Sequence, residues 1–181
     1  MSDAGVSVVS RRNLYRSDSD DPTPVGWNLQ GGTTAPIPNL ASEASTSNVL
    51  RVLSQDDRIE GFLTGIFATG ATRSNAFSEP SSSNEIDLNL QRMRLQSGAA
   101  DLTLFGATTF VDGVSAGDGN SVRVVLRQSK GSGPRANVYA HSAGDLGTGN
   151  RLEIAGSATA FDQTNEAIDP APPAEFFEAG E

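Results

Sequence analysis

The chain contains no cysteine, which excludes disulfides and thiolate metal sites. It has a single histidine, His141, and one histidine cannot build a transition-metal site without carboxylate help. Lysine is almost missing: Lys130 is the one lysine among 13 basic residues, set against 22 acidic ones and a formal net charge of −9. That balance argues against a phosphate-backbone binder, which needs clustered cations. The lysine scarcity has two readings, a GC-rich genome or life in high salt. The acid excess that accompanies it fits the second, because molar salt shortens the Debye length to about 3 Å and removes the cost of self-repulsion. No apolar run reaches the length of a membrane span, so no membrane partner is expected. Met1-Ser-Asp-Ala-Gly5 lacks the basic start and apolar run of a signal peptide, which points to synthesis and assembly in the cytoplasm of a host or source cell.

What is present reads as β-structure. The 181 residues and 19 glycines fit one domain with extensions. Arg58 to Ala68 reads as one long strand, with Ile59, Gly61, Leu63, Gly65 and Phe67 on one face, ended by Thr69-Gly70. Asn48 to Leu53 is an apolar lead-in. Asp101 to Val111, Ser121 to Gln128, Ala136 to His141 and Arg151 to Phe161 read as strands, with Val122, Val124 and Leu126 inward and Arg123 and Arg127 outward. Asn84 to Leu95 fits two patterns. Ser82 with Glu85 resembles a capping box and Ile86, Leu90 and Met93 share a helical face, while Ile86, Leu88 and Leu90 also alternate as a strand; the helix is our expectation. We read no repeat at a fixed period. The expected architecture is mainly β (α+β): an antiparallel sandwich or barrel over residues 51–161 with one short helix. Extended arms flank it at 1–50 and 162–181.

The arms carry apolar residues that are costly to leave in water. Leu14, Tyr15, Trp27 and Leu29 lie in the first, and Phe176 and Phe177 follow a Pro-rich run in the second. Together with Arg123 and Arg127 these are the candidate subunit-interface residues. Catalytic, cofactor and metal residues are expected to be absent. Gly113-Val-Ser115-Ala-Gly117 matches the nucleophile-elbow pattern, but a strand rather than a helix follows it, and His141 precedes Asp145. Asp18, Asp20 and Asp21, or Asp112, Asp118 and Asn120, offer oxygens to calcium without the EF-hand spacing; solvated turns are the simpler reading. Gly144 to Gly149 and Lys130-Gly-Ser-Gly133 lack the order of phosphate-binding loops.

Asp57-Arg-Ile-Glu-Gly61 through Arg73-Ser-Asn-Ala-Phe77 resembles a pattern in small tail proteins of haloarchaeal tailed viruses, and a β core with arms is similar to the phage tail-tube fold. The resemblance implies a non-enzymatic virion structural protein forming stacked rings, expected to be hexameric. DNA would pass through such rings without specific binding, and other virion proteins would be the remaining partners. The alternatives are a capsid decoration or head–tail joining protein and, from another class, a soluble ligand- or carbohydrate-binding β-sandwich.

Overall fold

A computed structural model describes residues 5–17, 25–33, 45–73, 76, 78–111, 113–131, 136–141, 147–156, 163–164 and 175–177. The strands are β1 Gly5–Arg11, β2 Leu14–Arg16, β3 Val25–Thr33, β4 Val49–Gln55, β5 Arg58–Glu60, β6 Thr64–Arg73, β7 Glu85–Gln91, β8 Arg94–Gln96, β9 Ala100–Thr109, β10 Ser121–Arg127, β11 Lys130–Gly131, β12 Ala136–His141, β13 Arg151–Gly156, β14 Gln163–Thr164 and β15 Glu175–Phe177. They form three sheets: A in the order β1-β4-β7-β10-β13-β15, B in the order β11-β8-β5-β2, and C in the order β14-β12-β9-β6-β3. Every pairing among these strands is parallel. From β1 to β13 the chain visits A, B and C in turn and starts again one level along, so the architecture is a three-sided parallel β-solenoid.

The antiparallel sandwich is thereby overturned. In–out alternation has the same period whether a strand's neighbour is parallel or antiparallel. The short polar breaks after β4, β7 and β10 look like hairpins in sequence, yet each turns the chain into the next sheet instead of reversing it. The expected helix is overturned as well, and no helix occurs among the described residues. Asn84 to Leu95 forms β7 and β8, with Ile86, Leu88 and Leu90 buried in alternation and Met93 buried at the corner between them. Ser82 accepts a hydrogen bond at Oγ from the Asp118 N–H one coil away (3.0 Å), and Ser83 has positive φ (58°), so no helix starts there. The long strand over 58–68 is two strands, broken at Gly61, whose φ of 79° makes a corner. Strand β6 then runs through Thr69-Gly70 to Arg73.

The fold also contains the repeat we did not read. Asn48 and Asn84, and Asn84 and Asn120, stand 36 residues apart and one coil apart. The next coil is shorter, with Asn120 and Asn150 30 residues apart. Stacked rungs make the core. Leu50, Ile86, Val122 and Leu152 lie in one column, and Val52, Leu88, Val124 and Ile154 in the next. From the facing sheets Ile59, Leu95, Ile66, Leu102 and Leu104 close the interior. Identical apolar positions stacked one strand spacing apart, about 4.8 Å, give a dry column that only a parallel, in-register chain can form. Sheet C bends where glycines stack. A Cβ at Gly31 would lie 2.6 Å from the Gly70 carbonyl oxygen, and one at Gly70 2.4 Å from that of Gly106.

Residues of the first expected arm extend these sheets. Strand β1 pairs with β4, β2 with β5 and β3 with β6. Tyr15, Trp27 and Leu29 pack against the core of their own chain, Tyr15 edge-on to Trp27 with ring centroids 5.4 Å apart. In the second expected arm, Phe176 pairs in register with Ile154 and Phe177 with Ala155.

Candidate functional site

Two corners in each coil set what the surface presents. The corner entering sheet A turns on Ser47, Ser83, Gly119 and Gly149, all with φ between 58° and 66°. The next residue is asparagine every time. Asn84 Nδ2 donates to Asn120 Oδ1 (3.0 Å), and the Asn84 backbone N–H donates to the same oxygen (3.1 Å). Asn48 does the same to Asn84, and Asn120 to Asn150. The spare amide hydrogens reach backbone carbonyls, Asn84 to Ser45 (3.0 Å), Asn120 to Ser81 (3.1 Å) and Asn150 to Gly117 (2.9 Å). Asn84 and Asn120 are fully buried, so the ladder is closed and offers nothing to a ligand.

The corner leaving sheet A turns on Arg12, Asp56, Arg92 and Gln128, again with positive φ, 51° to 61°. Here the inward residues differ: Asp57 accepts from the Ser54 hydroxyl (2.7 Å) and the Asn13 N–H (2.8 Å), while Ser129 accepts from the Met93 N–H (3.1 Å). Outside, Arg92 grips Asp56 through two hydrogen bonds of 2.7 and 2.8 Å. The Arg92 hydrogen bond holds the Asp56 carboxyl below its ordinary range, and the same contact raises Arg92.

The outer faces that flank this corner carry opposite charge patterns. On sheet A one register row reads Arg51, Asp87, Arg123, Glu153. Arg123 sits 3.9 Å from Asp87 and 3.4 Å from Glu153, and Arg151 also contacts Glu153 (2.6 Å). The row alternates in sign and neutralises itself. On sheet B the equivalent row reads Leu14, Arg58, Arg94, Lys130. Arg58, Arg94 and Lys130 are exposed, directly opposite one another across parallel strands. Among the described residues none of the three forms an ion pair. The neighbouring Glu60 is bound to Arg16 (2.9 Å). Like charges directly opposite on neighbouring strands are destabilising, so this row costs the fold something and returns nothing to it. Two shallow depressions of ≈ 320 Å³ each share Arg58, Arg94 and Lys130; Arg92 and Gln128 line one, Glu60 and Gln96 the other.

The residues expected at a subunit interface are not brought together. Tyr15, Trp27 and Leu29 face the protein's own core, and Leu14 is exposed at the end of the sheet B row. Arg123 belongs to the self-neutralising row, and Arg127 lies exposed at the C-terminal end of β10, in register with Gln91. Phe176 and Phe177 are in β15. Ser115, the serine of the nucleophile-elbow pattern, is followed by β10 and not by a helix. Its Oγ accepts the Gly117 N–H (3.0 Å), and Gly117, at φ 139°, passes so close to Ser81 that a Cβ would overlap that residue's carbonyl. His141 sits in β12, opposite Ala107; Asp145 lies outside the described residues. Of the calcium candidates, Asn120 is spent in the ladder and Asp118 accepts from the Thr148 N–H (2.7 Å). Asp18, Asp20, Asp21 and Asp112 lie outside the described residues. Among the described residues there is no cluster of metal-ligating side chains and no helix long and apolar enough to cross a membrane.

Sequence reasoning passed over Arg58, Arg94 and Lys130 as a set, because each is unremarkable alone. The signal was their 36-residue spacing, shared with Asn48, Asn84 and Asn120 and with Gly70-Ala71-Thr72 and Gly106-Ala107-Thr108. Compared with protein-family models, curated proteins and solved structures, the chain matches none.

Proposed function

We propose that this chain is a non-enzymatic structural protein that pairs with a second copy of itself through its first coil, and that it serves in a virion tail. The observation that carries the pairing is the uncovered end of the solenoid. Val6 and Val8 continue the core columns of Leu50 and Val52, yet they are 53% and 44% exposed. Among the described residues no strand pairs with the outer edge of β1. A bare edge whose inward side chains are apolar is a template for another strand. A second copy related by a twofold axis lays β1 against β1 with both edges satisfied, the self-complementary arrangement that closed dimers use.

The virion setting is supported by the likeness of Asp57–Phe77 to haloarchaeal tail proteins. The tube form is set aside on physical grounds. Rings fused into one barrel require strand edges on the sides of each subunit, and a solenoid has them only at its ends.

Sedimentation velocity in molar salt tests the pairing. A dimer is expected, and Val6→Lys with Val8→Lys should give a monomer with an unchanged β-sheet circular dichroism spectrum. A monomeric wild type, or a dimer untouched by both lysines, overturns the proposal.

A further inference from the structure

We propose that the outer face of sheet B binds a linear acidic polysaccharide laid along the solenoid axis, with Arg58, Arg94 and Lys130 each taking one anionic group of successive sugar units. This stands independently of pairing through the first coil.

Three observations converge on it. The first is the uncompensated row itself. In a chain of net charge −9 with 22 acids available, three cations stand in register with no acid among them. On sheet A the same strand geometry carries alternating signs. The difference lies in the choice of side chain, not in the backbone. The second is the spacing. The parallel register fixes successive cations about one strand apart, about 4.8 Å, close to the length of one pyranose unit in an extended glycan. A duplex presents a charge every ~1.7 Å of its axis, or one every ~3.4 Å on each of its strands, out of step with the row. The third is the company the cations keep. Gln96, Gln128, Asp56 and Glu60 line the same depressions, supplying amide donors and acceptors and two carboxylates for sugar hydroxyls, each carboxylate already held by an arginine, Arg92 or Arg16. Among the described residues no aromatic side chain lines either depression, and single-stranded nucleic acid needs such platforms for its bases. Arginine suits a carboxylate or sulfate because its planar fork makes two parallel hydrogen bonds. Arg92 already shows that geometry on Asp56 at the rim of the site.

The bound chain cancels the mutual repulsion of the row, so binding is stabilising without any rearrangement of the sheet. The face is flat and open, so affinity comes from several weak, repeated contacts and grows with ligand length. No bond is made or broken.

The test is titration calorimetry of the full chain with polygalacturonate oligomers of increasing length. Dextran, single-stranded oligothymidylate and vesicles of anionic phospholipid serve as competing probes. Affinity for polygalacturonate should rise with length up to the extent of the row and fall with salt. Arg94→Gln should weaken it about tenfold, and Arg58→Gln/Arg94→Gln/Lys130→Gln should abolish it. Arg123→Gln on sheet A should leave it unchanged. The triple variant should melt no lower than the wild type, since it loses only repulsion, which separates loss of binding from loss of fold. Failure to bind polygalacturonate, equal loss in the sheet A variant, or tighter binding to oligothymidylate or vesicles than to polygalacturonate overturns the proposal.

Discussion

Ser47, Ser83, Gly119 and Gly149 turn the chain into sheet A through positive φ, and Arg12, Asp56, Arg92 and Gln128 turn it out of sheet A in the same way. The residue after each turn points inward at both corners. At the entry it is always asparagine, bonded to the asparagine of the next coil. At the exit it is Asn13, Asp57, Met93 and Ser129, and the bonds to the next coil run from a backbone N–H to a different side chain each time, Asn13 to Asp57 and Met93 to Ser129. A side chain that is both donor and acceptor can repeat indefinitely along a stack, and each copy depends on the next. At the exit corner the inward side chain changes from coil to coil, so no ladder of like side chains runs along it. Just beyond it stand Arg58, Arg94 and Lys130, which form no ion pair among the described residues.

The largest expected effect tests whether the entry corner carries the fold. Asn120→Ala removes acceptors from the Asn84 N–H and amide and donors to Ser81 and Asn150. It leaves at least two buried groups unpaired. At roughly 1–3 kcal/mol for each such group, the loss is about 4 kcal/mol, and the melting temperature should fall by about 10 °C. The matching change at the exit, Ser129→Ala, takes the acceptor from the Met93 N–H and the donor from the Leu90 carbonyl but leaves the neighbouring coils' side chains paired, and should cost about 2 kcal/mol. Equal losses at the two corners in denaturant melts would erase the distinction between them.

How much of this was legible follows from the same contrast. The strands were legible wherever alternation ran clean, as at Val122, Val124 and Leu126, all buried. So was the outward direction of Arg123 and Arg127. Strand direction was not, because alternation is blind to it and the αL turns at Asp56, Arg92 and Gln128 look like hairpin punctuation. Positive φ is uncommon outside glycine and asparagine, so nothing in Asp-Asp, Arg-Met or Gln-Ser announces a corner. The helix over 84–95 was credible because Ile86, Leu90 and Met93 do share a face. They are buried together in fact, but around a corner and not along a helix. The asparagine ladder and the cationic row were written in the 36-residue spacing. They were hidden because the coils share pattern more than identity, and because the fourth coil is shorter. The apolar residues of 1–50 looked like an arm seeking a partner. They are the first coil, whose partners lie 36 to 44 residues onward in the same chain.

A smaller effect sharpens the comparison at the turn residues themselves. A non-glycine residue in the left-handed region costs about 1–2 kcal/mol, partly offset by the entropy glycine loses on folding, roughly 0.5–1 kcal/mol. Ser83→Gly should therefore stabilise by about 0.5 kcal/mol, as Gly119 and Gly149 already do in the same column. Arg92→Gly should gain less, because it also forfeits the pair with Asp56. Chemical denaturation of both variants checks the order, and a larger gain at Arg92 would mean that the pair contributes nothing.

The smallest effect isolates that pair. Asp56→Asn keeps a residue that tolerates positive φ and deletes only the charge. Hydrogen bonding from Arg92 holds the folded Asp56 carboxyl below its ordinary value of 3.8. At a pH between that value and the lowered one, the unfolded chain therefore binds more protons than the folded chain. The stabilisation is complete above 3.8 and is lost as pH falls through the lowered folded value. The melting temperature of Asp56→Asn should thus lie slightly below wild type at neutral pH, and the gap should close in acid. It should also shrink in molar salt, where exposed charges are screened beyond about 3 Å. A gap that persists in acid would assign the loss to the shape of the turn, and the exit corner would then be held by its backbone, as the entry corner is held by its asparagines.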